Sequence, residues 1–310
     1  MGCSINTFRR DGSKHPTLSI LIPFYGESPV PLLTNLARQF PLRGGEVEIV
    51  LIDDGSACPD LTAEVITELE TLTCPASLIT LSENEGRSAG RNRLIQAASG
   101  EYVLFLDSDM LPDAEDFVQT WIDIVAQDRP DVVFGGFSLT QASSDPAFAL
   151  HRTMAAQGDT FEAAIRRRAP EKYMFTSNLL IRAHILRQET FDPAFAGWGW
   201  EDVEWGIRIS RHWDICHIDN PASHLGLDTA ETLAKKYEQS VANFARVVSA
   251  HCAIVAAYPS YQVARILKFV PLRRIWHPAL KALALTQHAP LKARALALRL
   301  YRAALYAEVV

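Results

Sequence analysis

The chain has 310 residues, of which 48% are hydrophobic and 21% charged, and its mean hydropathy is +0.01. This composition argues against a disordered chain or a multispanning membrane protein, and the length allows one large α/β domain with additions or two domains. Five cysteines are scattered without a Cys-x-x-Cys pair, so neither a disulfide framework nor a zinc knuckle is predicted. We find no signal peptide and no apolar run of about eighteen residues, and the scattered cysteines favour a reducing cytoplasm.

Charge is distributed unevenly along the chain. The formal net charge is −6, but the segment from Ser260 to the end carries +8, so the remainder carries −14. This split suggests an acidic catalytic body and a basic tail that either meets an anionic surface or packs on acidic patches. Trp276, Tyr301, leucines and alanines interleave with the basic residues of the tail, which also suits a membrane interface. Both alternatives stay open at this point.

Short apolar segments alternate with amphipathic ones in the first part of the chain. Strands are predicted at 17–25, 47–53, 77–81, 102–106 and 131–137, and helices at 30–40, 60–72, 88–98 and 115–127. The alternation predicts right-handed crossovers and an α/β fold with a mostly parallel sheet flanked by helices. Neither a Gly-x-Gly-x-x-Gly turn nor a P-loop follows the first strand, so a simple dehydrogenase or ATPase is excluded.

The regular alternation ends after residue 137. We predict helices at 146–168, 201–212 and 229–251, and a strand at 173–181. Beyond Pro259 the prolines at 271, 278 and 290 divide the chain into short helical pieces. The predicted organisation is an N-terminal segment at 1–16, a main domain at 17–258 with halves at 17–137 and 138–258, and a basic helical tail at 259–310.

The predicted strand at 102–106 ends in Asp107, Ser108 and Asp109. Open α/β sheets bind ligands beyond the carboxyl ends of their strands, and two carboxylates there suit Mg²⁺ or Mn²⁺ carrying a phosphate. A turn or a helix cap is the alternative, because Asp and Ser favour both.

Two further segments follow neighbouring strands. Asp54 lies in Asp-Asp-Gly-Ser at the end of the second strand, where its carboxylate can accept from a nucleobase N–H or a ribose hydroxyl, or can simply form a turn. Arg87 and Arg91 lie one turn apart at the start of a helix, beside free backbone N–H donors that suit an anionic ligand. Solvated surface arginines are the alternative.

A Gly-Trp-Gly-Trp-Glu-Asp segment precedes the predicted helix at 201–212. Trp198 and Trp200 provide flat apolar walls on which sugar rings stack, and Glu201 and Asp202 can bind hydroxyls. The alternative is a packed tryptophan pair followed by an acidic helix start. His224 is a candidate metal ligand, although a lone histidine is usually a core or surface residue.

In order and spacing, these segments resemble the inverting glycosyltransferases of family 2, which have the GT-A fold. The resemblance spans about 17–225 and rests on the segments Leu18–Tyr25, Ile52–Ser56, Asn84–Asn92 and Phe105–Asp109. The Gly-Trp-Gly-Trp-Glu-Asp segment is similar to the acceptor-side motif of β-1,4-galactosyltransferases and of the galactosaminyl domains of chondroitin-type polymerases.

The resemblance implies a role for each matched residue. Pro23, Tyr25 and Glu27 would line the nucleoside pocket, with Asp54 at the uracil and Arg91 near the uridine or diphosphate. Asp107 would lie by the ribose and metal, and Asp109 and His224 would bind Mn²⁺ or Mg²⁺. Asp202 would be the catalytic base and Glu201 would hold a sugar. Further candidate residues for binding the donor are Arg87, Ser108, Trp198 and Trp200.

We therefore expect a metal-dependent inverting transferase that moves a hexose or N-acetylhexosamine from a UDP-sugar to a hydroxyl of a glycan or glycolipid. A catalytically inactive nucleotide-sugar-binding module is the main alternative. A sugar-nucleotide nucleotidyltransferase is a second one, but no Gly-rich basic phosphate loop follows the first strand. We expect no nucleic-acid partner, and a cytoplasmic location that includes the inner face of the membrane if the tail at 259–310 binds there.

Overall fold

The computed structural model describes residues 3–8, 16–39 and 46–310. The predicted segment at 1–16 therefore lies partly outside the described residues. Residue 40, the last of the predicted helix at 30–40, lies outside them as well. The strands, in chain order, are β1 (Cys3–Phe8), β2 (Leu18–Phe24), β3 (Val47–Asp53), β4 (Ala76–Leu81), β5 (Tyr102–Leu106), β6 (Met110–Pro112), β7 (Val132–Phe134), β8 (Phe137–Ser138), β9 (Asn178–Arg182), β10 (Ile215–His217) and β11 (Ala222–His224).

The helices are α1 (Val30–Gln39), α2 (Pro59–Thr71), α3 (Arg87–Ala97), α4 (Phe117–Gln127), α5 (Ala149–Ala155), α6 (Ala163–Arg166), α7 (Ala183–Gln188), α8 (Glu201–Ile209), α9 (Ala230–Val255), α10 (Pro259–Lys268), α11 (Arg273–Leu285) and α12 (Leu291–Tyr306). Two short 3-10 turns lie at Pro146–Phe148 and Pro170–Tyr173.

A central sheet has the strand order β1-β4-β3-β2-β5-β9-β7-β10. Strands β4, β3, β2 and β5 are parallel, whereas β9 runs antiparallel to β5 and β7. Apolar side chains of β2, β3, β4, β5, β7 and β9 pack into two clusters of buried residues, since each of these strands is a nearly continuous apolar run that buries both of its faces. Strand β1, in contrast, is largely exposed. The predicted mostly parallel sheet with flanking helices is confirmed.

A second sheet has three short strands in the order β6-β11-β8. Strand β11 is antiparallel to β6, with His224 opposite Met110, and parallel to β8. These strands have two or three residues each, which is too short for a periodic pattern to reveal them in the sequence. Their position matters because β6 begins directly after Asp109.

Several predicted elements are wrong or incomplete. The helix predicted at 146–168 is two short helices, because the backbone N–H groups of Asp159 and Thr160 both bond to the carbonyl of Ala155 and end the first one. The strand predicted at 131–137 ends at Phe134, because two residues later Gly136 adopts a φ of +98°, which is not an extended conformation. The strand predicted at 173–181 starts only at Asn178.

Two further predicted helices differ from the observed helices in length, and one observed strand had no prediction. The helix predicted at 201–212 ends at Ile209. The helix predicted at 229–251 continues to Val255 and leaves helical geometry at His251, with φ −135° and ψ 34°. Strand β1, which pairs antiparallel with β4, was not predicted at all.

The chain divides into two compact units. The first contains Met1–Ala142, Phe161–Ala194 and Trp205–Gly226, which include both sheets. The second contains Ser143–Thr160, Phe195–Glu204 and Leu227–Val310, and is helical. In the described part of the chain no single helix is long and apolar enough to cross a bilayer; α9 and α10 meet that criterion only as a pair bent by 110°.

Candidate functional site

Asp54 follows β3 at the carboxyl edge of the central sheet and is buried. Its carboxylate oxygens accept hydrogen bonds from the backbone N–H groups of Glu85, at 2.8 Å, and Gly86, at 3.0 Å. Burial raises the pKa of Asp54, and the two backbone hydrogen bonds partly offset that rise. Asp54 thus holds the turn that leads from β4 into α3, and Gly86 can make this turn because its φ is +88°.

Arg91 lies on α3 and is only 2% exposed. Its guanidinium donates to Asp107 Oδ1 across 3.1 Å and lies 5.9 Å from the ring centroid of Phe191. The alternative of a solvated arginine is therefore wrong for Arg91, whereas Arg87 at the start of the same helix is exposed. The buried guanidinium fixes the Asp107 carboxylate just beyond the end of β5.

Asp109 and His224 come together although 115 positions separate them in the chain. The distance from Asp109 Oδ2 to His224 Nε2 is 3.1 Å, and the Leu225 N–H donates to the Asp109 carbonyl at 2.8 Å. Partial burial raises the pKa of Asp109, but hydrogen bonding and charge from His224, with a contribution from Arg87, outweigh it and hold the pKa below its usual value. The carboxylate form is therefore favoured.

Gly226 is a part of this site that sequence reasoning missed. A Cβ at position 226 would lie 2.0 Å from Asp109 Oδ2, so the absence of a side chain leaves room for the carboxylate. The one signal in the sequence is the glycine two residues after His224, which is not specific enough to predict such an approach.

The pair of Asp109 and His224 offers one oxygen and one nitrogen donor, a set that suits Mn²⁺ and is compatible with Mg²⁺ through the carboxylate. Asp107 lies two residues from Asp109, with its carboxylate bonded to Arg91. Within residues 3–8, 16–39 and 46–310, no group of three or more His, Cys, Asp or Glu residues is arranged to hold a metal ion. The residues present thus fit a partial coordination sphere, which a bound anion would have to complete.

The residues predicted for the nucleoside pocket lie at the end of β2 and just beyond it, and β2 is the strand next to β3. Pro23 is half-buried in the strand, whereas Tyr25 and Glu27 are exposed beyond it. The N–H of Gly26 donates to Ser56 Oγ at 2.7 Å, which joins this loop to the turn containing Asp54. Ser108, also a predicted site residue, is half-buried between the two aspartates.

The Gly-Trp-Gly-Trp-Glu-Asp segment belongs to the second unit. The Asn243 amide donates to the carbonyls of Ala196, at 3.0 Å, and Gly199, at 2.9 Å, and so ties the loop to α9. At the start of α8, Glu201 is buried and Asp202 is half-buried.

The two tryptophans of this segment pack within the second unit. The Trp198 ring lies 5.9 Å from that of Tyr237, and the Trp200 ring lies 4.7 Å from that of Phe244. Trp200 adopts a φ of +75°, which is unusual for a bulky residue, immediately before Glu201.

The family model described as glycosyl transferase family 2 matches residues 19–189, more than half of the chain. The chain belongs to this family. Among curated relatives, validoxylamine A glucosyltransferase of Streptomyces hygroscopicus subsp. jinggangensis is 28% identical over 225 residues, which is 64% of this chain and 52% of the relative. The chain spans about half the length of this relative, and less of some others.

Two solved structures share the fold, at 17% sequence identity each. The mannosyltransferase PcManGT from Pyrobaculum calidifontis, in complex with GDP-Man and Mn²⁺, has a TM-score of 0.56 over 96% of this chain and 89% of its own. TarS 1-349 of S. aureus, in complex with UDP-GlcNAc, has a TM-score of 0.53 over 92% of this chain and 89% of its own. The fold is therefore GT-A, as the resemblance implied.

Proposed function

We propose that this protein is a metal-dependent inverting glycosyltransferase that transfers a hexose or N-acetylhexosamine from a UDP-sugar to a hydroxyl of a glycan or a lipid-linked acceptor. The observation that carries the proposal is the pair of Asp109 and His224, which meet at 3.1 Å beyond β5 in a family 2 chain. Nucleotide-sugar complexes of PcManGT and TarS, one of them with Mn²⁺, support the same class of donor.

In this proposal the carboxyl edge of the parallel strands binds the nucleotide. Asp54 meets the uracil, and Pro23, Tyr25 and Glu27 line the nucleoside pocket. Arg91 acts through its hydrogen bond to Asp107, which it orients toward the ribose. The exposed Arg87 at the start of α3 and the backbone at Ser108 are further contacts for the anionic diphosphate.

Asp109 and His224 would hold Mn²⁺ or Mg²⁺ in this proposal, with Asp107 beside the ion and the ribose. When bound, the metal ion supplies positive charge that neutralises the departing diphosphate. Asp109 would supply an oxygen donor as its carboxylate, and His224 would supply a nitrogen donor as its neutral imidazole.

On the acceptor side, Asp202 accepts the proton of the attacking hydroxyl, and Glu201 holds a sugar hydroxyl. Trp198 and Trp200 flank the sugar ring, by similarity to the acceptor-side motif of galactosyltransferases. Transfer proceeds as a single displacement at the anomeric carbon, which inverts its configuration. Residues 17–137 thus bind the donor, and residues 138–258 bind the acceptor and contribute the base.

A donor screen that measures UDP release, with and without Mn²⁺, tests the proposal. UDP-linked glucose, galactose, N-acetylglucosamine and N-acetylgalactosamine are offered, and GDP-mannose serves as the donor with a different base. We expect Mn²⁺-dependent release from at least one UDP-sugar. Tight UDP binding by calorimetry with no turnover on any donor would instead identify an inactive binding module.

A further inference from the structure

Exposed apolar side chains concentrate in one short part of the second unit. Of the eleven large apolar residues that are exposed in the described chain, eight lie within residues 266–296. Singly scattered exposed apolar residues are normal on a protein surface, but a concentration of them marks an interaction site. The most exposed of the eight surround the turn between α10 and α11: Ile266 at 67%, Phe269 at 81%, Leu272 at 70% and Ile275 at 68%. We call these four residues the apolar ridge.

The backbone at the ridge is held in an unfavourable conformation. Leu272 has a φ of +60° and a ψ of 31°, the left-handed region in which a leucine is disfavoured relative to glycine or asparagine. A turn shaped only for stability and solubility would place glycine or asparagine here. Instead the turn places a large apolar side chain in solvent, which adds to the exposed apolar surface of this segment.

An apolar cleft of about 320 Å³ lies in the same segment. Its walls include Leu267, Val270, Trp276 and Leu280, and the side chains that the structure describes along it are all apolar. The Trp276 indole donates to the Pro271 carbonyl at 2.9 Å. The polar N–H of this amphipathic ring therefore has a backbone partner, while the rest of the ring faces the cleft. The ridge and the cleft thus lie in one apolar segment, at 266–283.

The net positive charge of this segment favours an anionic partner. From Ser260 to the end the sequence has nine Lys and Arg residues and a single acidic residue, so the segment that carries the ridge also carries +8. Part of this charge is used inside the unit, where Lys281 pairs with Glu238 of α9 at 2.6 Å. Arg302 also lies over the Tyr237 ring of the same unit, but the segment remains basic. A surface that is both apolar and basic is complementary to the interface of an anionic lipid bilayer.

We infer that the apolar ridge docks this protein on membranes that contain anionic phospholipid, with Phe269 and its neighbours in the headgroup and acyl boundary. Each basic residue that lies near the anionic surface strengthens the contact by about fivefold in partition. This contact lies in the plane of the interface and requires no spanning helix. It does not depend on the proposed transfer reaction, so either can fail without the other.

Flotation of the full-length chain with vesicles tests the inference. Vesicles of phosphatidylcholine alone are compared with vesicles that also contain phosphatidylglycerol, each at low and high salt. The test variant is Phe269→Ser combined with Ile275→Ser, which leaves the net charge unchanged. The matched control is Ile5→Ser, because Ile5 is 63% exposed but lies on β1, far from the ridge in the sequence. Thermal melting checks that all variants are folded.

We expect the wild-type chain to float only with anionic vesicles and less so at high salt. The double variant should partition at least about tenfold more weakly, since two large side chains no longer leave water, whereas Ile5→Ser should match the wild type. Absence of flotation under every condition, or equal flotation of the double variant, would overturn the inference. A dimer that the double variant converts to a monomer, with no vesicle binding, would overturn it in favour of a second copy of this chain.

Discussion

The indole of Trp200 donates a hydrogen bond from Nε1 to the hydroxyl oxygen of Tyr306, at a distance of 2.8 Å. The same hydroxyl lies 2.8 Å from Ser240 Oγ, and the Tyr306 ring stacks on Phe244 with 4.1 Å between ring centroids. The last turn of α12 therefore fixes a tryptophan that directly precedes the acidic start of α8. A residue near the end of the chain is in this way a positioning element for the proposed acceptor side.

Replacement of Tyr306 by Phe tests this relationship. The variant keeps the ring stack on Phe244 and loses one hydroxyl with two partners, so the free energy of unfolding should fall by about 1 kcal/mol. If the hydroxyl positions Trp200, kcat should fall by roughly tenfold, because small misplacements near the reacting groups are costly, while UDP affinity is kept. Steady-state UDP release and calorimetry measure the two effects.

Tyr301→Phe is the matched control for this prediction. Tyr301 lies on the same helix, is also buried, and donates its hydroxyl to Glu238 Oε1 at 2.6 Å. Loss of the Tyr301 hydroxyl should lower the free energy of unfolding at least as much as loss of the Tyr306 hydroxyl. It should leave kcat within about twofold of the wild type, because lower stability alone does not alter the turnover of the folded fraction. Equal losses of kcat in both variants would mean that Tyr306 has no specific positioning role.

Asp202→Asn should abolish transfer and leave UDP binding nearly intact. General base catalysis typically contributes about 10²- to 10⁴-fold to turnover, and an amide cannot accept the proton. Asp116→Asn, on an exposed residue just before α4, serves as the control and should keep full activity. Comparable turnover of Asp202→Asn and wild type would remove Asp202 from the role of base.

Asp109→Asn should lower turnover by roughly 10²- to 10³-fold, the usual effect of removing one contact that stabilises leaving-group charge. Dialysis against EDTA should stop transfer and Mn²⁺ should restore it. Binding of Mn²⁺ in the presence of UDP, followed by electron paramagnetic resonance, should weaken in Asp109→Asn and His224→Gln. Asp113→Asn is the control, because that carboxylate accepts from Ser223 Oγ at 2.6 Å on the same small sheet. Full activity in chelator would refute metal dependence.

The stability of the first unit should depend on pH through His217. Burial, with the Arg166 guanidinium 3.3 Å from Nδ1, lowers the pKa of His217 to about 4, and the contact of Nε2 with the Pro170 carbonyl at 3.1 Å offsets only part of that fall. In the unfolded chain His217 takes up a proton near pH 6.5, whereas in the folded chain it takes up that proton only near pH 4. The free energy of unfolding should therefore fall between pH 6.5 and 4, by about 3 kcal/mol in total, and this term should be constant outside that window.

Denaturant unfolding at several pH values measures this dependence. His217→Gln should flatten the decline between pH 6.5 and 4, whereas His184→Gln, on an exposed residue of α7, should leave it unchanged. If wild type and His217→Gln decline with the same slope, His217 is not the titrating group.

The sequence predicted best those elements whose signal is local. The predicted bounds of β3 and β5 match the observed ones, because β5 is a continuous apolar run, Glu48 alone interrupts that of β3, and an aspartate closes each run. The helix predicted at 146–168 was wrong, because its pattern carries no sign of the turn at Asp159. Strands β6, β8 and β11 depend on pairings between distant segments, which composition and periodicity do not reveal.

In the candidate site, too, features with a local sequence signal were predicted, whereas contacts between distant segments were not. Asp54, Asp107 and Asp109 could be located because each follows a predicted strand. Sequence reasoning could not decide whether Arg91 was solvated, since that depends on burial against Phe191. The approach of Gly226 to Asp109 was also beyond prediction, because it depends on the register of β11 with β6.

That register limits where this chain can change in length. His224 faces Met110 across antiparallel strands, and side chains alternate between the two faces of a strand. A slip of one residue would turn the imidazole away from Asp109 and bring Ser223 or Leu225 to its place. Insertions in the long stretch between β6 and β11 leave the pair of donors intact, but one extra residue between Asp109 and Met110, or within β11, would separate them without altering either side chain.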